Sequence, residues 1–215
     1  MKHYSHAKAQ SRKGRRKEYV RLSLALRLCA FAGAIFLTLG AFAQAPELRG
    51  LTELRKGDYD NASKLLSARL ASNPNDVVAQ RALLRVYIET GRYTEAETAA
   101  KRFLQKTPNA GIVRHQLAEA LAATGRHTEA IPEFERAATD SEKSDKLESD
   151  LRRAEVLDLI GQEDRAKAIY ESFVKYYTDN DPESAQELTL VARALVHLER
   201  YQDANDMFRS AIEAD

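Results

Sequence analysis

Gly91-Arg-Tyr93-Thr-Glu-Ala96 reappears 34 residues later as Gly125-Arg-His127-Thr-Glu-Ala130, and 34 residues earlier as Gly57-Asp-Tyr59-Asp-Asn-Ala62. Two looser copies follow, Gly161-Gln-Glu163-Asp-Arg-Ala166 after 36 residues and Glu199-Arg-Tyr201-Gln-Asp-Ala204 after 38. A period of this length marks a stack of like units, none of which can bury its apolar side alone, rather than one closed globule. Each hexad lies between two stretches with helical apolar spacing. Before Gly91 these are Val78, Ala82, Leu83, Val86 and Tyr87; after it, Ala96, Ala99, Ala100, Phe103 and Leu104. Two antiparallel helices joined by a tight turn follow from that pattern.

The residue types at the turn have separate tasks. Four of the six glycines after residue 43 occupy the first hexad position, where a helix ends in the left-handed conformation that glycine adopts without a side-chain clash. Three residues on, Asp60, Thr94, Thr128 and Asp164 are expected to cap the second helix, with Thr94 and Glu97 as a reciprocal capping box. Ala62, Ala96, Ala130, Ala166 and Ala204 then allow close approach to a small residue of the first helix, at Gly50, Ala118, Ala154 and Ala192. Leu84 is the misfit in that series. Pro74 and Pro108 stop second helices, because the ring removes a donor. Pro132 is expected in a first helical turn, and 140–146 and 176–182 are expected as irregular links that absorb the extra residues.

With its small residues early in the first helix, Gly-x-Tyr-x-x-Ala turn, late aromatic at Phe134, Tyr170 and Phe208, and terminal proline, the chain from about Gln44 to Asp215 resembles the tetratricopeptide repeat family. Leu66 and Ala100 stand at the aromatic position in the first two copies, and the family's early Trp is absent. The resemblance implies an all-α solenoid of about five helix-turn-helix repeats in a right-handed superhelix. Repeats are expected at 44–76, 77–110, 111–146, 147–184 and 185–215. The family's carboxylate-clamping grooves carry Lys and Asn where this chain has Glu47, Leu51, Ala82, Ile112 and Gln116, so that specialised ligand is excluded.

Residues 1–43 differ in kind. Nine Lys or Arg against one acid precede a 16-residue uncharged run, Leu28 to Ala43, that ends in Ala41-Phe42-Ala43. This is the layout of a secretory signal with a small-x-small cleavage site before Gln44, and it implies an exported, periplasmic or secreted bacterial envelope protein. Retention as an inner-membrane anchor is the alternative, although the run falls short of the roughly 20 residues that span a bilayer. From Gln44 onward 24 basic residues face 31 acidic ones. So acidic a chain lacks the basic face that nucleic acid requires. Cys29, within the signal, is the single cysteine, so after cleavage neither a disulfide nor a thiolate site is available.

No His-Glu-x-x-His, phosphate loop or Gly-x-Ser-x-Gly is present, and no catalytic residue, metal site or cofactor is expected. Stacking of hairpins places first helices on the inner face of the superhelix. Counted from the turns, inward positions include Arg81, Arg85, Ile88, His115, Glu119, Glu155, Asp158, Arg193 and His197. Positive charge leads, then negative, then positive, which suits a peptide or protein partner of mixed charge. His115 and His197 are expected as solvated groove residues and His127 as a packing residue. The function that follows is an exported, non-catalytic protein-binding scaffold. The alternative is the repeat region of a larger envelope enzyme, for example a hydrolase, with its catalytic domain beyond Asp215. Met207, Phe208, Ala211 and Ile212 keep the last helix apolar, which leaves self-association through that helix as a third expectation.

Overall fold

The structure, a computed structural model, describes residues 46–215; the segment read as an export signal lies outside them. The described residues form ten α-helices and no strands. They pair as five hairpins: α1 (Pro46–Lys56) with α2 (Tyr59–Ser72), α3 (Val77–Glu89) with α4 (Tyr93–Lys106), α5 (Gly111–Ala123) with α6 (His127–Thr139), α7 (Lys143–Leu159) with α8 (Glu163–Asn180), and α9 (Ala185–His197) with α10 (Tyr201–Ala214).

Every turn uses one backbone device. The Arg92 N–H donates to the Tyr87 carbonyl at 2.7 Å and the Gly91 N–H to that of Ile88 at 3.0 Å, a Schellman closure that uses carbonyls left without helical partners. The longer bond recurs from Asp58 to Glu53, Arg126 to Leu121, Gln162 to Leu157 and Arg200 to Leu195. It needs a positive φ, and the turn glycines supply 73° to 77°. Glu199 takes φ 57° without being glycine, a backbone cost of roughly 1 kcal/mol that the packed turn must offset.

The second helices begin earlier than the capping pattern suggests. Their N-caps are Asp58, Arg92, Arg126 and Gln162, two residues before Asp60, Thr94, Thr128 and Asp164. The turn closure leaves no room for a longer loop. The capping box of Thr94 and Glu97 does not form, and Glu97 instead accepts from Lys101 at 2.6 Å and from Arg126 at 2.7 Å. Each cap arginine pairs three residues ahead, Arg92 with Glu95, Arg126 with Glu129 and Arg200 with Asp203, so the hexad's Arg and acid are partners. The earlier start also makes Pro132 the sixth residue of α6, past its first turn, and the helix continues through it. The links expected at 140–146 and 176–182 are mostly helix: α7 starts at Lys143 and α8 runs to Asn180. Lengthening the fourth hairpin absorbs the extra residues without opening a loop.

Close approach of the paired helices governs the core. Ala62, Ala130 and Ala166 are fully buried, with Ala96 and Ala204 nearly so. A Cβ added at Gly50 would meet Leu66 Cγ at 2.9 Å, which shows that residues sixteen apart face each other across a hairpin. At that pairing the later repeats set Ala118 against Phe134 and Ala154 against Tyr170, all buried. The second repeat exchanges the sizes, with Leu84 and Ala100 both at 0 % exposure, so total volume is kept. That exchange accounts for the misfit at Leu84.

The stack curves because its two layers differ. First helices of successive hairpins approach within 8 Å between Cα atoms, whereas among the described residues no two second helices do. The α1, α3, α5, α7, α9 layer therefore lines the inside of the curve. Tyr59, Tyr93 and His127 are half-buried, whereas Tyr201 is 62 % exposed. At the same end Met207 and Phe208 reach the core but Ile212 is 79 % exposed.

Urea unfolding tests the size exchange. Leu84→Ala alone should cost about 3 to 5 kcal/mol through the cavity it leaves, and Ala100→Phe alone about 1 to 3 kcal/mol through overpacking. The double variant should be more stable than Leu84→Ala; strictly additive losses would show that the two sites do not share one space.

Candidate functional site

The inner layer brings the charged positions of α3, α5, α7 and α9 into one continuous array. Glu119 on α5 accepts from Arg152 on α7 through both oxygens, at 2.6 and 2.9 Å. Arg152 also pairs with Glu155 one turn on, and Glu155 accepts from Arg193 on α9 at 2.6 Å. Acid, base, acid and base thus alternate across three first helices. Arg81 on α3 reaches over α5 to Asp145 at 3.2 Å and Glu148 at 2.9 Å on α7. Arg85 stays 61 % exposed with Glu89 of its own helix as partner, and Ile88 is half-buried.

The histidines take two unlike places. His115 is buried, 5 % exposed, in place of the solvated position expected for it. It lies edge-on to Phe134, with Nδ1 3.0 Å from Ser149 Oγ and Nε2 3.5 Å from Glu119. The same Ser149 hydroxyl also lies 3.0 Å from the Asp145 carbonyl, to which it donates. Burial pushes the imidazole below its ordinary value; Glu119 and Glu148 oppose that and lose to it. His197 stays part-exposed and stacks flat on Tyr170, centroids 4.5 Å apart, with Nδ1 3.4 Å from Asp158. The Tyr170 hydroxyl donates to that same carboxylate at 2.8 Å. Burial first, and Asp158 second, raise the phenol far above its usual range, so it remains a donor. Among the described residues no cluster of three or more His, Asp or Glu could hold a metal ion.

Arg152, Asp145, Glu148 and Ser149 belong to this array although the turn-based count passes over them. In α7 the place held by Arg81 and His115 in earlier repeats falls to Leu151, which is fully buried, and the polar row moves one residue along to Arg152. An apolar residue at a polar register position is the signal available in the sequence. Tyr170 is a second omission: its place in the pattern is that of the late aromatic, and its hydroxyl reaches the inner layer as well.

Tetratricopeptide repeat models match residues 47–111 and 81–145, and a further one matches 148–180. Together they span more than half of the chain, which belongs to the tetratricopeptide repeat family. Proteins of this family are generally non-catalytic scaffolds that bind protein partners. Solved structures of similar fold include a thermophilic TPR protein of Thermus thermophilus, at 22 % identity over 80 % of this chain and 90 % of that one, with a TM-score of 0.60. Another is a tetratricopeptide repeat protein of Parabacteroides merdae, at 20 % identity over 79 % of this chain and 64 % of that one, with a TM-score of 0.59. At this identity they share the fold with it. No curated protein matches the sequence.

The depressed His115 gives a signed pH dependence. Below the ordinary imidazole value of 6.5 the unfolded chain binds a proton that the folded chain does not, so stability is fully present above that pH and is lost as pH falls. Thermal melts from pH 7.5 to 5.5 should show a falling Tm in the native protein and a shallower fall in His115→Asn, which keeps a polar side chain facing Ser149. Equal slopes in the two proteins would mean that His115 titrates alike in both states.

Proposed function

We propose that this chain is an exported, non-catalytic scaffold that seats a protein or peptide partner on the inner face of its stack. The observation that carries the reading is the alternating array from Glu119 through Arg152 and Glu155 to Arg193, flanked by Arg81 and Arg85. Arg81, Arg152 and Arg193 remain 34 %, 33 % and 42 % exposed at their side chains, so each has an open edge. An extended segment of mixed charge would set carboxylates against these arginines and a cation against Glu119, Glu155 or Asp158. Because the charges already satisfy one another, a partner exchanges ion pairs instead of neutralising bare ones. Such exchange contributes little raw affinity and much discrimination of register and charge order.

Arg85 offers the cleanest test, since Arg81 also holds α7. Arg85→Glu should lower capture of a partner from host envelope extract by about tenfold, by placing a like charge at the interface, and should leave the helical melting transition in place. Undiminished capture removes the inner-face reading.

Export rests on the basic segment before the uncharged run that ends at Ala43. Intact-mass measurement of the protein purified from its host's envelope fraction should give a chain beginning at Gln44. A full-length chain recovered from the cytoplasm would overturn this part of the proposal.

A further inference from the structure

The outer layer carries a cleft of its own, apart from the inner face. Because no two second helices come within 8 Å between Cα atoms among the described residues, a wedge opens between α2 and α4, with α3 as its floor. It encloses about 330 Å³, at the lower end of the roughly 300–1,000 Å³ typical of ligand clefts. Leu83 and Tyr87 form the floor, Leu70 and Phe103 stand on the walls, and Arg102 and Lys106 stand on the rim.

Two cations stand on that rim. Of the inner-face arginines each has a carboxylate partner, as do Arg92, Arg114 and Arg126 elsewhere. Arg102 and Lys106 are exposed and, among the described residues, face no carboxylate; Arg102 lies over the Phe103 ring, 5.5 Å from its centroid. One repeat further on, Arg136 keeps the place of Arg102, but the places of Phe103 and Lys106 are taken by Ala137 and Asp140, and Asp140 is paired with Arg114 at 3.4 Å. The next wedge thus keeps one cation of the two and has lost its aromatic wall. Two bare cations beside an apolar cleft on an otherwise acidic chain select an anionic occupant with an apolar centre.

We propose that the wedge between α2 and α4 binds a short acidic peptide segment of a partner protein, its apolar side chain seated between Leu70 and Phe103 and its carboxylates on Arg102 and Lys106. Residues four apart on a helix stand about 5–6 Å apart. Alternate residues of an extended strand share one face and stand about 6.6 Å apart, at about 3.3 Å per residue, so two acidic residues two positions apart span that distance with an apolar residue two positions further on beside them.

The probe is a fluorescein-labelled eight-residue peptide with a central Glu-Ser-Glu-Ser-Phe, followed by fluorescence anisotropy at 50 mM and 500 mM salt. The full chain should bind it at low salt, and the higher salt should weaken binding severalfold. Arg102→Glu with Lys106→Glu should weaken it by at least about tenfold, whereas Lys175→Glu, a reversal on the distant α8, should not. Changing the peptide's Phe to Ser should weaken binding to the unaltered protein. The proposal is overturned if both protein reversals act alike, if the Ser peptide binds as well, or if an eight-nucleotide single strand displaces the peptide at equal concentration. It is likewise overturned if sedimentation shows a self-association that Arg102→Glu with Lys106→Glu abolishes, since the occupant would then be a second copy. These variants lie on the outer layer and leave Arg85 intact, so this result and that for the inner face stand apart.

Discussion

The distance between the two helices of a hairpin controls everything else in this protein. A hydrogen or a methyl group on one side of the contact, at Gly50, Ala118, Ala154 and Ala192, lets the second helix bring its large side chain against the first. Burial of that side chain, together with the fully buried alanine of each hexad, makes a hairpin a rigid wedge. Where Leu84 breaks the rule, Ala100 gives way on the other side and the wedge keeps its thickness. Interiors packed at crystal density allow such exchanges only in compensating pairs.

Identical wedges stacked side by side must curve, and curvature divides the molecule chemically. On the inside, first helices are close enough for ion pairs to bridge from one repeat to the next, and the charges of α5, α7 and α9 are spent on one another. On the outside, second helices splay and leave clefts floored by the apolar side of the first helix between them. A crowded polar face and an open, partly apolar face thus come from one geometric cause. The two proposals rest on these two surfaces separately: a partner that exchanges charge along a ladder, and one that fills a notch.

Much of the architecture was legible along the chain. The 34-residue spacing of Gly57, Gly91 and Gly125, the alanine five residues after each, and the helical apolar spacing on both sides give the hairpins and their order. Helix ends were less legible. Thr94 and Asp60 look like caps because short polar side chains favour such places, yet the Schellman closure already consumes the loop and starts the helix two residues sooner. Likewise the polar run around Lys143 reads as a link, and the packing of Leu147 and Leu151 against the core draws it into α7. The burial of His115 could not be read from its register alone. It depends on Ser149 and Phe134, residues 34 and 19 positions away, closing over the ring.

The sequence by itself determined the unit and its repetition, because turn, approach and periodicity are properties of neighbours within about forty residues. Only the tertiary structure decided which charges remain free. Arg81, Arg102, Lys106 and Arg152 are all cations on helical surfaces, and their type does not say which of them will find a carboxylate. Arg81 and Arg152 lie where successive first helices converge and find carboxylates; Arg102 and Lys106 lie where second helices diverge and, among the described residues, find none. The sign of curvature separates them, and curvature exists only once the hairpins are stacked.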